Sequence, residues 1–67
     1  MSKDFLVTFH LKRGQIQLII FEQNLSVLQK RLWKDILDQN IIFLEIGGNV
    51  IFTKYIKGFD IKQINNI

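Results

Sequence analysis

The chain contains no cysteine and no proline. Disulfides, thiolate metal sites and thiol nucleophiles are therefore excluded, and the absence of cysteine fits a reducing compartment. No linker, repeat or low-complexity stretch interrupts the sequence. It also lacks a run of about eighteen apolar residues, the minimum for a membrane-crossing helix. The opening MSKDFLVTFHLK has neither the unbroken apolar core nor the small-residue cleavage site of a signal peptide. These absences point to a cytoplasmic protein that starts at its own Met1. The formal charge of +3 is mild. It is compatible with an acidic partner and equally ordinary for a small soluble protein.

What is present is apolar: 48% of the residues are hydrophobic and six are phenylalanine, too many for a disordered chain. Sixty-seven residues make one small domain, 1–67. Chains of this size bury a modest fraction of their surface and often need a disulfide, a metal or a partner subunit.

The stretch Phe5 to Phe21, FLVTFHLKRGQIQLIIF, consists of two apolar runs hinged on Arg13-Gly14 and reads as a β-hairpin, with strands near Asp4–Lys12 and Gln15–Glu22. A two-residue Arg13-Gly14 loop sets Leu11 opposite Ile16, Phe9 opposite Leu18 and Val7 opposite Ile20. Alternation along each strand then collects Val7, Phe9, Leu11, Ile16, Leu18 and Ile20 on one face. The other face carries Leu6, Thr8, His10, Gln17, Ile19 and Phe21, polar near the turn and apolar at the far end. Arginine is a poor first residue for such a loop, which needs positive φ there, so a longer loop with Gly14 left-handed is the alternative.

Helical periodicity occurs once, in EQNLSVLQKRLWKDILDQN, where Leu25, Leu28, Leu32 and Ile36 fall on one stripe. Asn24 or Ser26 can cap its start, and Asn40 suits a left-handed residue beyond its end. Lys30, Arg31, Lys34 and Asp38 are expected to face solvent, with Trp33 and Leu37 as a second apolar shoulder. Ile41 to Ile46 reads as a third strand, Gly47-Gly48 as a tight reversal, and Val50 to Thr53 as a fourth strand. Thr53 to Tyr55 makes a corner. Ile56 to Ile64 is a fifth strand with Phe59 and Ile61 on one face, and Gly58 marks a bulge or a close backbone approach. Asn65 to Ile67 reads as a frayed tail. The expectation is an α+β fold, ββαβββ, with the helix packed on one face of an antiparallel sheet.

That packing leaves a second apolar face, together with part of strands three to five. Monomers seldom leave such patches in water, so the face is covered by the sheet curling into a small barrel or by a second copy, and a symmetric homodimer is the default. The candidates for a protein interface are Leu6, Ile19, Phe21, Trp33 and Leu37.

Chemistry-bearing groups are sparse. The serines are Ser2 and Ser26, and His10 is the only histidine. The carboxylates Asp4, Glu22, Asp35, Asp38, Glu45 and Asp60 lack metal-ligand spacing. The glycines match neither the dinucleotide fingerprint nor the P-loop. We therefore expect no enzyme, no cofactor and no metal site. The alternative to a protein-interaction or regulatory module is nucleic-acid binding. It would use Lys12 and Arg13 at the hairpin tip, Lys30, Arg31 and Lys34 on the helix, and Lys54 and Lys57 near Tyr55, with Tyr55 or Phe59 stacking a base.

The opening DFLVTFHLKRGQ and the closing VIFTKYIKGFDI resemble segments of small phage and prophage proteins of low-GC bacteria. The shared features are patterns of apolar residues and turns, with no catalytic signature. The resemblance implies a compact α+β fold, a bacterial cytoplasmic setting and a mobile-element origin. It carries over no activity and no binding residues. The abundance of lysine, isoleucine and asparagine is consistent with an AT-rich genome.

Overall fold

In a computed structural model, which describes residues 3–64, the chain runs β1 (Lys3–Leu11), β2 (Gly14–Glu22), α1 (Leu25–Leu37), β3 (Phe43–Ile46), β4 (Asn49–Phe52), a single 3₁₀ turn (Thr53–Tyr55) and β5 (Ile56–Gln63). The fold is α+β in the expected order. The tail expected at Asn65 to Ile67 lies outside the described residues.

The hairpin forms with a different loop. Leu11 faces Gly14, Phe9 faces Ile16, Val7 faces Leu18 and Phe5 faces Ile20, so Lys12 and Arg13 are the turn residues. Arginine in the left-handed region would be strained; the described residues with positive φ are all glycines, and Gly14 takes φ of 98° at the start of β2. The loop keeps the expected two residues but moves back by one position, so that Gly14 is the left-handed residue that follows it. The pairing has slid by two residues, and a slide of two leaves every side chain on its face because the strand period is two. Phe5, Val7 and Phe9 are accordingly 1%, 0% and 0% exposed.

Strand β5 pairs with the other side of β1, giving a sheet in the order β2-β1-β5. Val7 faces Ile61 and Phe9 faces Phe59, which sets both β5 residues on the inner face. His10 pairs with Gly58 but Leu11 with Ile56, so Lys57 is an extra residue and the strand is bulged there. Nothing approaches the place a Gly58 Cβ would occupy, so the glycine accompanies a bulge rather than a close contact.

Asn24 caps α1, its side-chain oxygen accepting the Val27 N–H at 2.9 Å. Leu28 and Leu32 are buried and Ile36 packs beside them, whereas Leu25 is 45% exposed, so the working stripe is shorter than its periodicity suggests. Burying each leucine contributes about 1.5–3 kcal/mol. The helix stops at Asp38, which is extended; its carboxylate accepts the Asn40 N–H and its carbonyl the Ile41 N–H. Asn40 is not left-handed.

Strands β3 and β4 form a separate two-stranded sheet joined by Gly47 and Gly48, whose φ values of 56° and 83° suit a type I′ turn. Ile41 and Ile42 stay outside β3 because their carbonyls have another task. The Ile42 carbonyl accepts the Thr53 N–H at 3.0 Å, and the Thr53 hydroxyl lies 3.0 Å and 3.1 Å from the Ile41 and Ile42 oxygens. That contact pins the expected corner. Leu44 and Ile51 enter the same core as Phe5, Val7, Phe9, Ile20, Leu28 and Leu32. Helix and small sheet thus share the inner side of the three-stranded sheet, and β3 and β4 do not extend its outer face.

Candidate interaction surfaces

The outer face of the three-stranded sheet follows from the register. Its rows are Gln17, Thr8 and Asp60, then Ile19, Leu6 and Lys62, with Phe21 beside Asp4 at the end. The turn half is polar and bonded internally. The Gln17 amide donates to the Thr8 hydroxyl at 3.3 Å, and a His10 ring nitrogen lies 2.6 Å from the Asp60 carboxylate. The far half carries hydrocarbon flanked by Lys62 and Asp4, with Leu6 half-buried, Ile19 55% exposed and Phe21 66% exposed. Three of the five interface candidates therefore form one patch, laid down by strand alternation alone.

Trp33 and Leu37 lie elsewhere. The Trp33 ring packs against Phe59 at 4.8 Å between centroids, and Phe59 in turn meets Phe9 at 6.2 Å, so Trp33 closes the edge of the core while keeping 45% of its surface exposed. Leu37 is 73% exposed at the end of α1. The part of strands three to five expected to stay uncovered resolves into residues the sequence reading did not name: Ile42, Phe43, Val50 and Phe52 are about half-exposed or more on the outer side of the small sheet and its approach. Phe43, Phe52 and Tyr55 form an edge-to-face chain there at 6.4 Å and 6.3 Å. The signal was present in FLEI and NVIF, which are apolar at both parities and so cannot hide every hydrophobe on one face.

Beside Ile19 to Phe21, an open cleft of about 570 Å³ separates the β2 edge from β3, with Leu28, Arg31 and Asp35 of α1 beneath it. Arg31 is directed there by Glu22, whose carboxylate it meets at 3.3 Å.

The structure divides the basic candidates. Lys12, Arg13, Lys54 and Tyr55 come together where the hairpin tip meets the 3₁₀ turn. The Lys12 N–H donates to the Tyr55 carbonyl at 3.2 Å, and the Lys54 ammonium sits 5.1 Å from the Tyr55 ring centre, within cation–π range. A hollow of about 480 Å³ opens between Leu11, Lys12, Arg13 and Tyr55. Lys57 is the second residue of β5, close by in sequence. Lys30, Arg31 and Lys34 lie on α1, and Arg31 is committed to Glu22 on the cleft side. Phe59 is inward-facing beneath Trp33, unsuited to stacking a base.

Among the described residues no three histidine or carboxylate groups converge as a metal would require. On the same face a His10 ring nitrogen pairs with the Asp60 carboxylate, and the Thr8 hydroxyl accepts the Gln17 amide. No described helix is long and apolar enough to cross a membrane.

No family model, curated protein or solved structure matches the chain.

Proposed function

We propose that the chain is a small non-enzymatic protein-interaction or regulatory module that acts as a homo-oligomer in a bacterial cytoplasm, in keeping with the phage-type resemblance. The observation that carries this reading is the far half of the outer face, where exposed Ile19 and Phe21 adjoin partly buried Leu6 in one apolar patch, next to a polar half in which Gln17 bonds Thr8 and His10 meets Asp60. A chain with a surplus of polar residues to place there would have continued the polar pattern. Aromatic and aliphatic anchors of this kind dominate interface energies. Sedimentation velocity over a wide concentration range tests the reading. A mass that rises with concentration to a multiple of 8.0 kDa supports it, and 8.0 kDa throughout overturns it.

A second reading has its own observation. The cluster of Lys12, Arg13, Lys54 and Tyr55 combines cations with one half-exposed ring, the combination that holds single-stranded nucleic acid. The cluster offers three cations, so binding would be weak, with a modest salt dependence. A mobility shift at low salt that vanishes in Lys12→Glu/Arg13→Glu supports it; no shift at low salt removes it.

A further inference from the structure

The two outer strands of the three-stranded sheet are each bonded to β1 on one side only, and their free edges differ. Strand β5 carries Lys57, Asp60 and Lys62 and is bulged at Lys57, features that keep a free edge from pairing. Strands β3 and β4 are four residues each. Strand β2 has none of these protections. It is nine residues long, pairs regularly with β1 throughout, and has no charged residue from Gly14 to Phe21.

The backbone directions along β2 follow from one hydrogen bond. The Ile64 N–H donates to the Asp4 carbonyl at 2.9 Å, so Asp4 and the alternate residues Leu6, Thr8 and His10 direct their backbone groups toward β5. Phe5, Val7 and Phe9 therefore direct theirs toward β2, where Ile20, Leu18 and Ile16 reciprocate. Gln15, Gln17, Ile19 and Phe21 are left with N–H and C=O groups pointing off the open edge. Beyond Ile19 to Phe21 that edge meets the open cleft rather than a paired strand.

We infer that β2 pairs antiparallel with β2 of a second copy about a two-fold axis at Leu18, making a continuous six-stranded sheet. This rests on the self-association reading above and assigns it a backbone edge; the pairing brings the two outer-face patches into one sheet surface without covering them. Centring on Leu18 sets Gln17 opposite Ile19 of the copy, Gln15 opposite Phe21, Ile16 opposite Ile20 and Gly14 opposite Glu22. Every outward backbone group of β2 then has a mate, the inner face stays apolar across the junction, and no like charges oppose. The same operation on β5, centred on Asp60, sets that carboxylate against its own copy.

The absence of native cysteine makes the test direct. Leu18 would sit opposite itself at a Cα separation of about 4.5 Å, within disulfide range. Leu18→Cys should therefore form a covalent dimer under mild oxidation at micromolar concentration, while Gln63→Cys on the β5 edge should not. Gln17→Pro removes an outward N–H without touching the β1 ladder, a position where edge strands tolerate proline. It should weaken the dimer at least about thirtyfold, with Gln63→Pro as the unaffected counterpart and circular dichroism confirming that both fold. If the native chain dimerises but Leu18→Cys does not cross-link and Gln17→Pro leaves the affinity unchanged, β2 pairing is overturned while self-association stands. A native chain that remains monomeric at all concentrations overturns both.

Discussion

Along β1, Phe5, Val7 and Phe9 are buried to within 1%, while Leu6, Thr8 and His10, each one residue away, are only partly buried. The two faces of this sheet are finished differently. The inner face is completed within the chain by α1 and the small sheet, whose Leu28, Leu32, Leu44 and Ile51 close the core. The outer face is finished halfway: polar side chains bond one another near the turn, and the far half ends in uncovered hydrocarbon. A chain of this size has one helix to use as cover, and the comparison locates what is left over.

Substitutions can break that contrast in graded steps. Phe9→Ala, at the centre of the inner face, should cost about 3–5 kcal/mol, enough to unfold most of so small a domain in a urea titration followed by circular dichroism. Thr53→Val removes the hydroxyl that ties the corner to Ile41 and Ile42. It should lower stability by about 1 kcal/mol, read as a shift in the urea midpoint at constant slope. Phe21→Ser, on the outer face, should leave subunit stability within about 0.5 kcal/mol while raising the dissociation constant of the dimer in sedimentation equilibrium. If Phe21→Ser instead destabilises the subunit as Phe9→Ala does, the two faces are not distinct. Asp60→Asn weakens the exposed contact with His10 and should change the thermal midpoint by the equivalent of under about 1 kcal/mol, with no effect on self-association.

Much of this was legible in the residues. Alternation from Val7 to Ile20 defines the buried face, and it survived a misplaced turn because the slide was by an even number of residues. The turn sits one position earlier than expected, on Lys12-Arg13, which leaves the left-handed conformation to Gly14 rather than to an arginine. Asn24 and the Gly47-Gly48 reversal were readable because their side chains, or lack of them, dictate local geometry. The split into two sheets was not readable. It depends on Thr53 capturing the carbonyls of Ile41 and Ile42 from eleven or more residues away, and a lone threonine carries no such signal. For the same reason Phe43, Val50 and Phe52 were not named for the apolar surface, and the basic residues could not be sorted into the cluster at Tyr55 and those on the helix.

The most direct test of the account is amide hydrogen exchange, followed residue by residue at high and low protein concentration. Pairing along β2 predicts that the amides of Gln15, Gln17, Ile19 and Phe21 become protected as concentration rises, while the outward amides of Phe59, Ile61 and Gln63 on β5 exchange fast throughout. Equal exchange at the two edges at every concentration would contradict it.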